Sequence, residues 1–111
     1  MLSKSQRLNL KTSFRFVASG KSFTSKNFKI FYRLGENENP LIGVSVVSAQ
    51  FKKANLRNQA KRIIFDLAKN HYDKLHKNLN LVIMPRPQVL VLPKDELESE
   101  FANAISSLKI N

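Results

Sequence analysis

The chain contains no cysteine, no tryptophan and only two histidines. Without cysteine it cannot form a disulfide scaffold or supply thiolate ligands, and two histidines cannot complete a zinc site alone. We therefore expect no metal held by the protein, and we expect His71 and His76 to be solvated residues that follow a helix. The lack of cysteine also agrees with a cytoplasmic protein.

Long apolar segments are missing as well. No run approaches the roughly 20 residues that a membrane-spanning helix needs, and residues 1–11 lack the apolar core of a signal peptide. The strongly basic segment described below carries aliphatic residues suited to packing rather than the aromatic anchors of an interfacial helix. We therefore expect no membrane partner and a cytoplasmic location.

Acidic residues are scarce and unevenly placed. Nineteen lysines and arginines face eight acids in 111 residues, which gives a formal net charge of +11. Half of the acids lie between residues 95 and 100, so the preceding part of the chain is the strongly basic one. The sequence offers no Ser-His-Asp or Cys-His set and no two-metal carboxylate cluster, so we predict no catalytic residue in the protein. The positive charge predicts a polyanionic partner.

The length of 111 residues and the hydrophobic content of 42% predict one domain, residues 1–111, with a core of its own. The predicted elements are a short helix from the N-cap Asn9 to Ser19-Gly20, strands at 28–34, 41–47 and 79–84, a basic helix at 54–70 and a last helix at 94–108. Residues 89–92 are a candidate edge strand. The order α-β-β-α-β-α predicts an α+β sandwich, with helices packed on a small sheet.

The predicted helix 54–70 separates into a basic and an apolar face. At about 100° per residue, an arc of roughly 140° contains Arg57, Asn58, Lys61, Arg62, Phe65 and Lys69. The opposite arc of about 100° contains Leu56, Ala60, Ile63, Ile64 and Leu67. Because like charges at this spacing repel one another, the basic arc needs an anionic partner. Arginine holds a phosphate through two parallel bonds, lysine acts as a point charge, and asparagine reads sugar or base edges, so we predict RNA.

The first predicted strand suggests a second RNA-binding surface. Lys29, Phe31 and Arg33 point to one side of it, and its other residues point to the opposite side. An aromatic ring between two cations can stack an unpaired base and hold the flanking phosphates. The alternative is that Phe31 packs beneath the first helix while the two cations are simply solvated. Phe14 on that helix allows the same two interpretations.

At this point the motif Arg57-Asn58-x-x-Lys61-Arg62, which follows Phe51-Lys52-Lys53-Ala54, resembles the signature of the bacterial ribonuclease P protein component. The resemblance extends over nearly the whole chain, and the combined pattern is specific. Its other parts are Arg7-Leu8 with Phe14-x-x-Val17 and Gly20, Ile42-Gly43-Val44-Ser45-Val46, Ile83-Met84-Pro85-Arg86-Pro87, and Leu97 with Phe101.

The resemblance implies a small basic cytoplasmic protein that binds a large catalytic RNA. That ribonucleoprotein removes the 5′ leader from precursor tRNA, and its RNA subunit performs the hydrolysis with bound Mg²⁺. The protein raises substrate affinity and lowers the magnesium requirement, and no small-molecule substrate is implied. The implied fold is the ribonuclease P protein and ribosomal protein S5 domain 2-like fold, with an uncommon left-handed βαβ crossover that runs against the usual right-handed rule.

Site residues follow from the resemblance position by position. Those expected to contact the catalytic RNA are Arg57, Asn58, Lys61, Arg62 and Lys53. Those that match the cleft for the single-stranded leader are Phe14, Val17 and Phe31, with Lys29 and Arg33 nearby. Many relatives carry further basic or aromatic residues where this chain has Gln59, Phe65-Asp66, residues 47–50 and Ala18. These departures are expected to weaken phosphate and leader contacts.

Two other classes of protein compete with this interpretation. A ribosomal or RNA-chaperone protein of similar fold would bind structured RNA without stimulating leader removal. A DNA-binding protein is less favoured, because no helix-turn-helix spacing is present and the strand aromatics suit single strands. Leader-dependent affinity for precursor tRNA in the presence of the catalytic RNA separates these classes.

Overall fold

A mixed four-stranded sheet lies at the centre of the fold. The structure is a computed structural model that describes residues 3–109. The strands are β1 (Lys21–Thr24), β2 (Phe28–Leu34), β3 (Leu41–Val44) and β4 (Leu79–Pro85), in the spatial order β1-β2-β4-β3. β2 is antiparallel to both of its neighbours, whereas β3 is parallel to β4.

Three α-helices cover the sheet: α1 (Leu10–Ala18), α2 (Ala54–Asn70) and α3 (Lys94–Ser106). α2 connects the parallel neighbours β3 and β4, so these three elements form the predicted βαβ unit. Single 3₁₀ turns at Lys4–Gln6, Tyr72–Lys74 and Pro87–Leu90 complete the described elements. Within residues 3–109, no helix combines the length and apolarity that crossing a bilayer requires.

The two faces of the sheet carry different layers. On one face, Phe28 and Ile30 of β2 and Leu81 of β4 belong to a large core cluster that includes α2 and α3. On the other face, Val82 of β4 packs with Val17 of α1 and with Leu8. β4 is therefore largely apolar on both sides, because it lies between two layers.

The first helix begins and ends as predicted. The side chain of Asn9 accepts a hydrogen bond from the backbone N–H of Lys11 at 3.0 Å, and Ser19 is the C-cap. Gly20 follows without a left-handed backbone, since no residue has positive φ in the part of the chain that the structure describes. The reason for glycine is close packing: a Cβ at Gly20 would lie 2.7 Å from the carbonyl oxygen of Tyr32.

Several sequence-based boundaries were wrong. The sheet has an additional strand, β1, whose residues Lys21-Ser22-Phe23-Thr24 are short, mostly exposed and recognisable as a strand only through pairing with β2. The second predicted strand ends at Val44 instead of residue 47. The proposed edge strand at 89–92 is absent from the described structure, because Pro87 starts a 3₁₀ turn there that Val89 anchors in the core.

The prediction of a solvated His71 was also wrong. His71 is buried at the end of α2, and its ring lies 5.5 Å from that of Phe101. Its Nε2 is 2.8 Å from a carboxylate oxygen of Glu98 on α3. His76, in contrast, is exposed as expected. The sequence does not reveal this difference because the covering helix α3 is more than 20 residues away.

Candidate nucleic-acid interface

The predicted basic face of α2 is largely exposed. Asn58, Lys61, Arg62 and Lys69 are all open to solvent, whereas Ala60 on the opposite side is completely buried. The hydrophobic periodicity therefore assigned most residues of α2 correctly to the exposed or the buried face. The exception is Phe65, which was predicted on the charged arc but is only 8% exposed.

Phe65 is buried because its side chain belongs to the large core cluster that includes α2 and α3. A groove beside α2 is lined by Leu8 and Leu10 as well as by Phe65. Leu8 is fixed there because its backbone N–H donates to the carbonyl of Ile42 at 2.9 Å. A helical projection of α2 alone could not anticipate a groove shared with a segment about 50 residues earlier.

The same groove brings a further cation to the basic face. Arg7 lines it together with Asn58, Lys61 and Arg62. Arg7 is exposed, and an isolated parallel β-bridge to Ile42 holds its backbone beside the sheet. We did not predict a binding role for Arg7, although the adjacent Arg7-Leu8 pair belongs to the family resemblance and offered a signal.

Arg57 is placed differently from the other basic residues of α2. It is half-buried, and its Nη1 donates to the carbonyl of Phe51 at 2.7 Å. One branch of its guanidinium therefore stabilises the segment that leads into the helix. The remaining donors can still reach a phosphate, because arginine has five N–H groups.

Lys53 lies at the start of the basic face, where it is the exposed N-cap residue of α2. A lysine side chain has no acceptor with which to cap backbone N–H groups. The first turn of α2 also contains no acidic residue. The helix end therefore combines a lysine charge with the positive end of the helix dipole, an arrangement that favours a phosphate.

The second predicted surface lies where α1 crosses the sheet. The rings of Phe14 and Phe31 pack edge to face, with centroids 6.4 Å apart and an interplanar angle of 68°. Lys29 Nζ lies 4.9 Å from the centroid of Phe31, within cation–π range. Both phenylalanines are half-buried, so each packs in the small core and also presents part of its ring. We call the surface formed by Phe14, Lys29, Phe31 and Met84 the Lys29 groove.

Val17 does not line this groove as a contact residue. Its side chain is fully buried against Val82, so it supports α1 from below. The expectation that Val17 itself faces the leader is therefore corrected. Leu10 and Phe14 lie on the same side of α1 as Val17. Val17 is therefore part of the buried apolar stripe of this helix.

The register of β2 and β4 shows why Arg33 is separated from Lys29. The opposed pairs are Lys29 with Met84, Phe31 with Val82, and Arg33 with Asn80. α1 packs over the middle pair through the Phe14 and Val17 contacts. All three β2 side chains share one sheet face, as predicted, but α1 leaves Lys29 on one flank and Arg33 on the other.

Residues beyond the prediction extend the Lys29 flank. A surface cavity there is lined by Lys29, Met84 and Arg86 together with Val47, Gln50 and Pro85. Val47 is 38% exposed, which is unusual for a large apolar side chain. The sequence signal for these residues is weak, since the segment 47–50 is uncharged and Arg86 lies between two prolines.

Two acids of α3, Glu98 and Glu100, accept hydrogen bonds from other parts of the fold. Burial disfavours the charged form of Glu98, but hydrogen bonds from Asn70 and His71 outweigh it and lower the pKa of Glu98. Burial acts in the same way on Glu100, and hydrogen bonds from Ser25 and Asn27 outweigh it and lower the pKa of Glu100. Both carboxylates therefore favour the ionised form while they make structural contacts from α3.

Metal ligands are not grouped in the described structure. Among residues 3–109, no cluster of three or more His, Cys, Asp or Glu side chains could hold a metal ion. The chemistry available at the two surfaces is therefore that of cations, amides and aromatic rings. Such groups bind phosphates and stack unpaired bases.

Comparison with known proteins identifies the relatives of this chain. The family model described as Ribonuclease P matches residues 2–109. The chain is 31% identical over 96 residues to the ribonuclease P protein component of Pseudoalteromonas atlantica, covering 86% of this chain and 79% of that protein. It is 33% identical over 86 residues to that of Dictyoglomus turgidum, covering 76% and 71%.

Solved structures show the same fold. The RNase P protein from Thermotoga maritima superposes with a TM-score of 0.83 at 21% identity, covering 94% of this chain and 98% of that one. The RNase P protein from Staphylococcus aureus gives a TM-score of 0.77 at 19% identity, covering 93% and 94%. The arrangement of three helices on a four-stranded sheet is therefore that of these proteins.

Proposed function

The chain belongs to the ribonuclease P protein component family, and we propose that it supports 5′ maturation of precursor tRNA through two separate RNA-binding surfaces. Membership makes it the non-catalytic protein subunit of a ribonucleoprotein endoribonuclease, with the ribonuclease P RNA as its partner. The observation that carries the proposal is the placement of two different RNA-binding chemistries on two separate parts of one small domain. Cations line a groove beside α2, and a pair of aromatic rings lies beside α1.

The basic face of α2 is the proposed site for the catalytic RNA. Lys61 and Arg62 are exposed and converge with Arg7 on one groove, so several phosphates can be bound over a short distance. Asn58 in the same groove can accept from a sugar hydroxyl and donate to a phosphate. Arg57 and Lys53 extend this surface toward the N-terminal end of the helix.

The Lys29 groove is the proposed site for the 5′ leader. Unpaired leader bases can stack against the presented parts of Phe14 and Phe31, while Lys29 is placed to hold an adjacent phosphate. Val17 contributes by fixing α1 against Val82, which sets the width of the groove. Stacking is tolerant of sequence, so a leader of any composition can be accepted.

We propose that the Mg²⁺ ions are bound mainly by the RNA subunit. Mg²⁺ is typically held by phosphates and a few carboxylates, and the described part of this chain brings together no cluster of three carboxylate or histidine ligands. The protein's own contribution is positive charge and positioning, which lower the ion concentration that the RNA needs. We propose the cytoplasm as the location, with precursor tRNA as substrate and no membrane partner.

The test is cleavage of precursor tRNA by a bacterial catalytic RNA at low magnesium, with and without this protein. We expect strong stimulation of cleavage for a substrate with a 5′ leader. In binding assays, the protein should raise the affinity for the leaderless tRNA only slightly. Arg62→Ala tests the basic face of α2 in this assay. Its matched control is Lys74→Ala, which removes an exposed charge from the 3₁₀ turn after α2. Tight RNA binding without any stimulation, while a native partner protein stimulates the same RNA, would favour a ribosomal or chaperone role.

A further inference from the structure

The flank of α1 on the side of Arg33 carries an exposed aromatic ring, and the guanidinium of Arg33 lies over this ring. Phe16 is 41% exposed, although it is large and apolar. The Cζ atom of Arg33 lies 4.2 Å from the centroid of its ring. Arg33 Nη1 also donates to the carbonyl of Phe16 at 3.2 Å and to Ser19 Oγ at 2.8 Å. The guanidinium is therefore fixed over the ring by three contacts, at the end of a helix.

This flank is distinct from the Lys29 groove. At about 100° per residue, Phe14 and Phe16 lie roughly 200° apart around α1, with the buried Val17 between them on the sheet side. The cavity beside Phe16, which we call the Arg33 groove, is lined by Ser13, Phe16, Arg33, Leu34, Glu36 and Asn37.

The floor of the Arg33 groove is held by buried amides. Asn80 is 4% exposed, and its Nδ2 donates to Asn37 Oδ1 at 2.9 Å and to the carbonyl of Arg33 at 3.2 Å. Asn37 Nδ2 donates to the carbonyl of Asn39 at 2.7 Å. These bonds tie the loop after β2 to β4, so the groove is shaped before any ligand arrives.

A second cavity adjoins the groove on the other side of Arg33. Its lining includes Lys21, Arg33 and Lys109, with Tyr32 and Ser19. Lys21 Nζ donates to the carbonyl of Lys109 at 3.1 Å, and the backbone N–H of Lys109 donates to Tyr32 Oη at 3.1 Å. The two lysines are therefore held near each other in a cavity that Arg33 also lines.

The charges assign different parts of a nucleotide to the two cavities. The carboxylate of Glu36 opposes a phosphate within the Arg33 groove, whereas Lys21 and Lys109 favour one in the adjoining cavity. Both side-chain bonds of Arg33 use Nη1. Since a guanidinium has five N–H donors, Arg33 keeps donors that can reach a phosphate between the two cavities.

We propose that the Arg33 groove binds an unpaired nucleotide of single-stranded RNA, with its base on the Phe16–Arg33 pair and its phosphate toward Lys21 and Lys109. The inference rests on the proposed function only in taking RNA as the partner. A base in a duplex has both faces stacked on its neighbours, so single strands are selected over duplexes. The bound segment comes either from the substrate leader or from an unpaired region of the catalytic RNA.

The experiment uses the absence of tryptophan from the chain. Phe16→Trp places a single fluorophore in the groove and keeps an aromatic partner for Arg33. Titration with an unpaired ten-nucleotide RNA should quench this tryptophan, and a duplex of equal length should quench it far less. The matched control is Val91→Trp on the opposite side of the sheet, at a residue that is 82% exposed. Equal quenching of both variants, or none at Phe16→Trp while the RNA binds, overturns the proposal.

Affinity measurements with the same RNA test the energetic contribution. We expect Phe16→Ala to weaken single-strand binding about fivefold or more, whereas Arg15→Ala, an exposed cation on the same helix, weakens it less. Phe16→Leu keeps apolar bulk but removes the π-face, so it should behave like Phe16→Ala. Unchanged affinity in both Phe16 variants contradicts the assignment.

The source of the nucleotide is resolved with the assembled ribonucleoprotein. Quenching of Phe16→Trp on adding leader-bearing but not leaderless precursor tRNA identifies the leader, and quenching on adding the catalytic RNA alone identifies that RNA. The two proposals can fail separately. Stimulated cleavage without quenching rejects the Arg33 site alone, and quenching by single strands without stimulated cleavage rejects the proposed function alone.

Discussion

Glu100 on α3 accepts two hydrogen bonds from Asn27, one from its backbone N–H at 2.8 Å and one from its side-chain amide at 2.6 Å. The hydroxyl of Ser25 donates to the same carboxylate. Residues 25–27 form the turn between β1 and β2, so one acid fixes the hairpin that carries the edge strand. The carbonyl of Asn27 in turn accepts from the backbone N–H of Arg86 at 2.9 Å, which joins the turn to the end of β4.

Replacing this carboxylate should destabilise the fold. We expect Glu100→Gln to lower the free energy of unfolding by about 1–3 kcal/mol, since an amide accepts at only one atom and presents a donor to donors. Urea denaturation followed by circular dichroism at neutral pH measures the change. Glu96→Gln, an exposed acid on the same helix, should stay within about 0.5 kcal/mol. Equal stability of the two variants would show that the turn does not depend on Glu100.

The two structural carboxylates also predict the response to acid. The folded-state pKa values of Glu98 and Glu100 are lowered. Their contribution to stability is therefore fully present above the unfolded value of about 4.3 and is lost as the pH falls through the folded values. We expect the stability difference between the wild type and Glu98→Gln/Glu100→Gln to be large at pH 7 and to shrink on acidification below about pH 4. A difference that is constant down to pH 3 contradicts the assigned pKa directions.

Periodicity predicted the parts of the fold whose environment is set locally. The apolar stripe of α2 and the alternation along β2 placed Ala60, Ile64 and Ile30 in the core correctly. β1 escaped prediction because its four residues are mainly exposed and an edge strand is defined by its partner. His71 and Phe65 were misplaced for a related reason, since both are buried by tertiary contacts with residues distant in sequence.

The candidate site likewise combines features set by local sequence patterns with features set by tertiary packing. The sequence predicted that Lys29, Phe31 and Arg33 share a face, because that follows from the two-residue period of a strand. It could not predict that α1 crosses the sheet at Phe31 and Val82. This crossing places Lys29 and Arg33 in different grooves. The crossing depends on tertiary packing of Val17 and Phe14, which no local pattern contains.

The two arginines of the basic motif should behave differently on substitution. Arg62 is exposed, so Arg62→Ala should weaken binding to the catalytic RNA, lower the salt dependence by about one ion and leave stability within about 0.5 kcal/mol. Arg57→Ala removes the bond to the Phe51 carbonyl and should also cost about 1 kcal/mol of stability. Filter binding across a salt series and urea denaturation measure both quantities. Arg57→Ala that leaves both affinity and salt slope unchanged would remove Arg57 from the proposed interface.

The Lys29 groove predicts a leader-specific defect. Phe31→Leu preserves apolar packing against Val82 but removes the ring that meets Phe14 and Lys29. We expect stability to fall by less than about 1.5 kcal/mol. Affinity of the assembled ribonucleoprotein for leader-bearing precursor tRNA should fall by about 1–3 kcal/mol, the value of one stacked base.

The leaderless tRNA serves as the internal control for Phe31→Leu, because it lacks the segment that the groove is proposed to hold. Its affinity should not change, and the salt dependence of binding to the catalytic RNA alone should also stay the same. Lys29→Gln should reproduce part of the leader defect with a reduced salt slope, since it removes one charge without removing a ring. Equal losses for the leader-bearing and leaderless substrates would mean that Phe31 acts on the fold or on the catalytic RNA, and the leader assignment would then be abandoned.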